Sequence, residues 1–194
     1  MVSDKIKQIM KMKKVCVLLA DGFEEIEALT VVDLLRRAKV YVDTVSITDD
    51  YTVRGAHGIP VQTEDLITEI DFKESDMIVL PGGMPGTTNL KEDENVRKAV
   101  QEAYDDGRYV AAICAAPTIL ADMGLLKGKR ATCYPDMESE IEDAYLTGAP
   151  VATDENIITS QGVGTAIDFA LKLIEVLISE EKAVEIADSI VYQR

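Results

Sequence analysis

Residues 109–117, YVAAICAAP, place a thiol where it could act as a nucleophile. Residues 110–113 form an apolar run long enough for a buried strand, Cys114 follows, and Ala115, Ala116 and Pro117 open what reads as a helix. A cysteine at such a corner resembles a nucleophile elbow with sulfur in place of a serine oxygen. Ala112, Ala115 and Ala116 let the backbone turn sharply without a clash, and unpaired N–H groups at the start of the following helix favour thiolate over thiol. The competing reading is a space-filling cysteine, because free Cys is among the most buried residue types. A carboxyl partner comes from Glu24-Glu25-Ile26-Glu27, where three acids crowd one helix start. Glu24 and Glu25 read as capping and solvation, which the helix dipole favours. Glu27, deeper in the first turns, is placed to turn inward. The glycines of Pro81-Gly82-Gly83-Met84-Pro85-Gly86 add backbone N–H groups that a ligand can approach closely. The turn lacks the Lys-Ser/Thr ending of a phosphate-binding P-loop.

These groups need a scaffold. Residues 15–19 read as a strand without polar alternation, as in a parallel sheet covered on both faces, with Cys16 in the core. Helical spacing follows over 28–38, then a second strand over 41–47. Residues 52–62 carry Gly55, Gly58 and Pro60 and read as a hairpin or irregular excursion, with His57 an exposed loop histidine. Further short strands are expected over 77–80, 131–134, 150–153 and 157–160. Helices are expected around Val96 to Ala103, over 117–123, 137–141, 166–178 and 181–191. Such alternation gives an α/β fold with a mostly parallel central sheet, right-handed crossovers and helices on both faces. Ligands bind outside the carboxyl ends of such strands. Four loops leave those ends: the one before Glu27, the one holding Gly82 and Gly83, the elbow, and the one at Gly162. Their convergence brings Glu27, the Gly83 amide and Cys114 together.

Composition removes several classes of function. A formal charge of -15, from 35 acidic and 20 basic residues, repels phosphate backbones and anionic membrane surfaces, so neither nucleic acid nor membrane is an expected partner. Cys16, Cys114 and Cys133 share no metal-type spacing, and His57 is the one histidine, so no metal site or cofactor is expected. Three free thiols suit a reducing cytoplasm. The apolar run 15–20 is shorter than a signal-peptide core and meets Asp21, so neither export nor anchoring is expected. Residues 1–11 read as an extension before the first strand.

The motifs LLADGFEEIEA, IVLPGGMPG, VAAICAAPTIL and ITSQGVGTAIDFAL occur in that order. Together they resemble the ThiJ/PfpI superfamily, within it the branch of the parkinsonism-associated protein deglycase and its bacterial relatives, over nearly the whole chain. The resemblance implies a flavodoxin-like three-layer sandwich, with residues 1–12 an N-terminal extension and 13–194 a single domain, assembled as a homodimer. It implies a catalytic pair of Cys114 and a protonated Glu27, with the N–H groups of Gly83 and Ala115 as oxyanion donors. Gly82, Tyr134, Gly162, Val163, Arg54 and His57 are candidates for the substrate pocket. Tyr134 stands where many relatives carry histidine, and Val163 where many carry proline. Either Arg54 or His57 corresponds to a basic residue that closes the site in some relatives. A Cys-His-Glu triad is disfavoured, since no histidine follows Cys114. The implied activity is a glutathione-independent glyoxalase or deglycase acting on a small reactive aldehyde or on a glycated amino acid or protein. The alternative is an oxidative-stress sensor or holdase acting through oxidation of Cys114.

Overall fold

A computed structural model describes residues 12–193. The extension expected over residues 1–11 lies outside the described residues. In chain order the strands are β1 (Lys14–Leu19), β2 (Tyr41–Ser46), β3 (Thr52–Arg54), β4 (Pro60–Gln62), β5 (Asp65–Leu66), β6 (Met77–Leu80), β7 (Tyr109–Ile113), β8 (Arg130–Ala131), β9 (Tyr145–Leu146), β10 (Val151–Asp154) and β11 (Ile157–Ser160). Seven of them make one sheet in the order β10-β11-β7-β6-β1-β2-β5, parallel throughout except for the β10–β11 hairpin at one edge. The helices are α1 (Glu25–Arg37), α2 (Gly86–Glu92), α3 (Glu94–Asp105), α4 (Pro117–Asp122), α5 (Ala166–Leu177) and α6 (Glu180–Ser189).

The continuous apolar strands serve two cores at once, because successive side chains leave a strand on opposite faces. Val15, Val17, Leu19, Val79 and Ile113 join Val31 and Leu35 of α1 and Phe169 and Leu173 of α5 on one face. Cys16, Leu18, Ile78, Leu80 and Ala112 join Val96 and Val100 of α3 and Ile119 of α4 on the other. This is the flavodoxin-like three-layer sandwich that the motifs implied. Each large aliphatic or aromatic side chain buried this way contributes roughly 1.5–3 kcal/mol. Strand order reverses between β1 and β6, so the loops after these two strands flank the crevice where such sheets bind ligands.

Two local expectations differ from the structure. Residues 131–134 do not extend the main sheet. Only Arg130 and Ala131 are in a strand, paired with Tyr145 and Leu146 in a separate two-stranded sheet. Thr132 N–H instead donates to Thr159 Oγ1 and Tyr134 N–H to the Cys114 carbonyl, at 3.0 and 2.8 Å, so tertiary partners take the hydrogen bonds a ladder would have used. Helix α2 was not anticipated, because Gly86-Thr87-Thr88-Asn89 has weak helix propensity. It forms through tertiary anchors: Leu90 is fully buried, Gly86 N–H donates to the Gly22 carbonyl, and Asn89 Nδ2 donates to the Asp21 carbonyl.

Candidate active site

Cys114 follows β7 directly and adopts φ +65°, a left-handed conformation that costs a non-glycine residue on the order of 1–3 kcal/mol. Its own N–H donates to the Ser160 carbonyl of β11 and its carbonyl accepts from Tyr134, so neighbours on two sides hold the turn. The N–H groups of Ala115 and Gly83 act on the Cys114 thiol in the direction that favours its charged form.

Glu27 is fully buried on the first turns of α1. Its Oε2 accepts the Gly82 N–H at 2.8 Å, while Oε1 is buried without a hydrogen-bond partner of standard geometry. Gly82 is required by close approach: a Cβ there would stand 2.6 Å from Cys114 Cβ and 2.8 Å from Glu27 Oε2. Gly162 covers the pair from β11. A Cβ there would lie 3.8 Å from both Cys114 Sγ and Glu27 Oε1, and 3.6 Å from the Tyr134 ring.

Burial raises the Glu27 carboxyl to about 7, against the Gly82 N–H and the Cys114 interaction, with the Glu24 charge adding to the rise. Burial pushes the Cys114 thiol up to about 12, the Glu27 charge and hydrogen bond adding to it and the Ala115 and Gly83 N–H groups opposing it. Burial disfavours charge on both groups, and a charged Glu27 further holds the proton on Cys114. The pair therefore releases its first proton near neutrality as one unit and its second only far above. A thiolate at neutral pH requires Glu27 to carry the remaining proton, and the elbow's N–H groups alone do not produce it.

Tyr134, Gly82, Gly83, Ala115 and Gly162 thus gather around Cys114 and Glu27. Tyr134 is 44% exposed and Val163, also exposed, opens the turn after Gly162. Arg54 and His57 lie with other partners. Arg54 Nη1 donates to the Gly58 carbonyl and its N–H to Asp21 Oδ1. His57 Nδ1 is 2.8 Å from Glu25 Oε2 and 3.6 Å from Glu24 Oε2. Glu25 Oε1 also accepts the His57 and Ile59 N–H groups. Glu24, Glu25 and His57 bring potential metal-ligand atoms within 4.8 Å of one another. The positive end of α1 disfavours a cation there, and Glu25 already spends its oxygens on loop 55–59. The carboxylate acts as a clip. Nothing in the sequence signalled it, because its two halves are 32 residues apart.

The clip predicts a pH window. The His57 hydrogen bond and the Glu24 and Glu25 charges raise His57, so its contribution is complete below about 6.5 and is lost as pH rises through the raised value. Burial pushes Glu25 up, but the His57 hydrogen bond and backbone N–H groups outweigh it and lower the carboxyl, so its contribution is lost as pH falls below about 4.5. Amide exchange at Ile59 is expected to be slowest between these limits, and His57→Ala should remove the upper boundary. An Ile59 protection profile that, corrected for intrinsic exchange, falls neither below about pH 4.5 nor at the alkaline side of the raised His57 value would contradict the clip.

Residues 13–176 match the DJ-1/PfpI family. The chain belongs to that family. Among its relatives, DJ-1beta of Drosophila melanogaster is 36% identical over 177 residues, covering 90% of this chain and 95% of the relative. Glutathione-independent glyoxalase DJ-1 of Schizosaccharomyces pombe is 34% identical, covering 88% of this chain and 94% of the relative. DJ-1 homolog B of Arabidopsis thaliana is 40% identical, and this chain spans 41% of its length. The crystal structure of a DJ-1 superfamily protein mutant from Salmonella typhimurium superposes with a TM-score of 0.90 at 35% identity, covering 94% of this chain and all of that one. Oxidized Toxoplasma gondii DJ-1 gives 0.89 at 36%, with coverage of 94% and 100%. Among the described residues, no helix is long and apolar enough to cross a membrane.

Proposed function

We propose that this DJ-1/PfpI protein is a glutathione-independent glyoxalase or deglycase acting on methylglyoxal-type 2-oxoaldehydes or early glycation adducts. The observation that carries this reading is a cysteine on a left-handed strand-to-helix turn packed beside a fully buried glutamate whose carboxyl is raised to about 7. The Cys114 thiolate attacks the aldehyde carbon, a C–S bond forms, and the carbonyl oxygen takes a proton to give a hemithioacetal. Glu27, as carboxylate, removes the hydrogen on that carbon and returns a proton to the adjacent carbon, so the aldehyde carbon is oxidised and the ketone reduced. The resulting thioester is hydrolysed by water, releasing a 2-hydroxy acid and the thiol. The balance needs water alone. A carboxyl titrating near 7 suits both halves of the proton transfer, since it gives and takes protons at similar cost.

A relative named as a glutathione-independent glyoxalase, matched along most of both chains, supports the same reading. Homodimer assembly belongs to it as well, and the exposed Ile26 and Leu29 on α1 offer apolar surface for a second copy. A cytoplasmic site of action is in keeping with three free cysteines.

The test is conversion of methylglyoxal to lactate without glutathione. Wild type is expected to turn over, and Cys114→Ser is expected to lose turnover to background while keeping its fold by circular dichroism. If wild type is inactive and peroxide places two oxygens on Cys114 selectively, the redox-sensor reading replaces this one. The Ala115 and Gly83 N–H groups and the Glu27 proton would serve the oxygens of such a sulfinate equally well.

A further inference from the structure

A cleft of about 450 Å³ opens beside Ala115, the residue after the nucleophile. Its walls come from α2, α3, α4 and the 3-10 turn Pro135–Glu140. The volume falls within the range of pockets that hold ligands of amino-acid size or larger, and a three-carbon aldehyde would leave most of it empty. Charge in the cleft is mixed. Lys91 and Arg97 lie 3.3 and 2.7 Å from the two oxygens of Asp122, so two cations share one carboxylate and retain a positive excess. Glu92 and Glu140 are the other charged residues lining it. Met84, Met137 and Ala115 supply apolar surface. Thr87 also lines the cleft, is 4% exposed, and its hydroxyl has no hydrogen-bond partner, a cost a ligand or a small local shift would remove.

Positive and negative groups lining one cleft together with apolar side chains fit a molecule carrying both charges, an amino acid or short peptide with free termini, better than a simple anion or cation. We propose that this cleft is a subsite for the amphoteric carrier of a carbonyl adduct, with the carrier's carboxylate on Lys91 and Arg97 and its ammonium toward Glu140 and Glu92. The adduct carbon is thereby held on the side of Ala115, the residue after Cys114. Its C–S or C–N bond to the carrier breaks, the carrier leaving with the adduct's hydroxyl proton, and the Cys114 thiolate adds to the aldehyde so released. This assignment rests on the glyoxalase or deglycase reading for its chemistry, but not for its binding.

Two measurements separate the two. Isothermal titration with glycylserine, which is unreactive and zwitterionic, is expected to give a Kd of about 1 mM or tighter. Lys91→Gln with Arg97→Gln is expected to weaken it at least about tenfold. Kinetics with the methylglyoxal hemithioacetals of glycylcysteine and of N-acetylcysteinamide, at equal free methylglyoxal, should show wild type preferring the zwitterionic adduct about tenfold in kcat/KM. The double variant should lose that preference and keep its rate on methylglyoxal alone. Absence of glycylserine binding overturns the subsite whether or not the protein is an enzyme. Equal kcat/KM for the two adducts, or a double variant that keeps the preference, overturns it as well. Binding without any turnover overturns the enzymatic reading alone and leaves the site as a receptor for the same ligands.

Discussion

Glu27→Gln is expected to lower kcat/KM for methylglyoxal by roughly 10²–10⁴ and yet to make the protein more stable above neutrality. The loss follows from chemistry: an amide cannot carry a proton between adjacent carbons. The gain follows from burial. The Glu27 carboxyl is raised to about 7 from the ordinary 4.5, so ionising it costs more in the folded state than in the unfolded chain. Below about pH 4.5 it is protonated in both states and the cost is nil. The cost grows through the interval and levels off above 7 at about 3 kcal/mol, at 1.36 kcal/mol per pKa unit. A glutamine keeps an oxygen for the Gly82 N–H and carries no charge. The variant should melt roughly 6–12 °C above wild type at pH 8 and about level with it at pH 4. A variant that gains no stability at pH 8 would mean that Glu27 is not held as a strained acid. Loss of activity with a gain in stability is the pattern of a site that keeps its carboxyl for function.

Gly83→Ala should do the opposite and fail at the level of folding. Gly83 has φ +90°, which an alanine adopts only with strain. Its Cβ would stand 2.4 Å from the Glu24 backbone nitrogen and 2.6 Å from the Gly22 carbonyl oxygen. These are backbone atoms of the loop that carries α1, and that loop is tied to the same turn by the Glu24 N–H donating to the Gly82 carbonyl at 2.9 Å. Strain and overpacking together are expected to cost about 3 kcal/mol or more, visible as a lower urea midpoint or as insoluble expression. Gly58→Ala provides the comparison: φ there is also positive, at +82°, but no heavy atom lies within 4 Å of the added Cβ. If the two variants lose equal stability, backbone strain alone accounts for Gly83 and the tight apposition of the two loops does not.

The sheet and its order of elements were legible because buried parallel strands are short apolar runs, and because residues 15–19, 77–80 and 157–160 are each bounded by polar or turn-forming residues. Cys114 was legible for a similar local reason: small residues and a proline after a strand specify a sharp turn wherever they occur. Helix α2 was not, since a sequence beginning Gly-Thr-Thr-Asn becomes helical through contacts with Gly22 and Asp21, far away in the chain. The segment 131–134 misled because its apolar residues fit a strand, while its backbone partners, Thr159 and Cys114, come from β11 and the elbow.

The sequence by itself determined the α/β architecture, the cysteine-bearing corner, and an acid on the first turns of α1, all properties of neighbouring residues. Glu27 was already the inward acid by sequence; tertiary structure decided how its proton is shared with Cys114 and that Glu25, which reads as solvated, is buried against loop 55–59. Glu24 caps a helix, Glu25 clips a loop, and Glu27 is buried beside Cys114. Their side chains are chemically identical. What separates them is desolvation and the donors each one meets, and both depend on the direction in which α1 lies against the sheet.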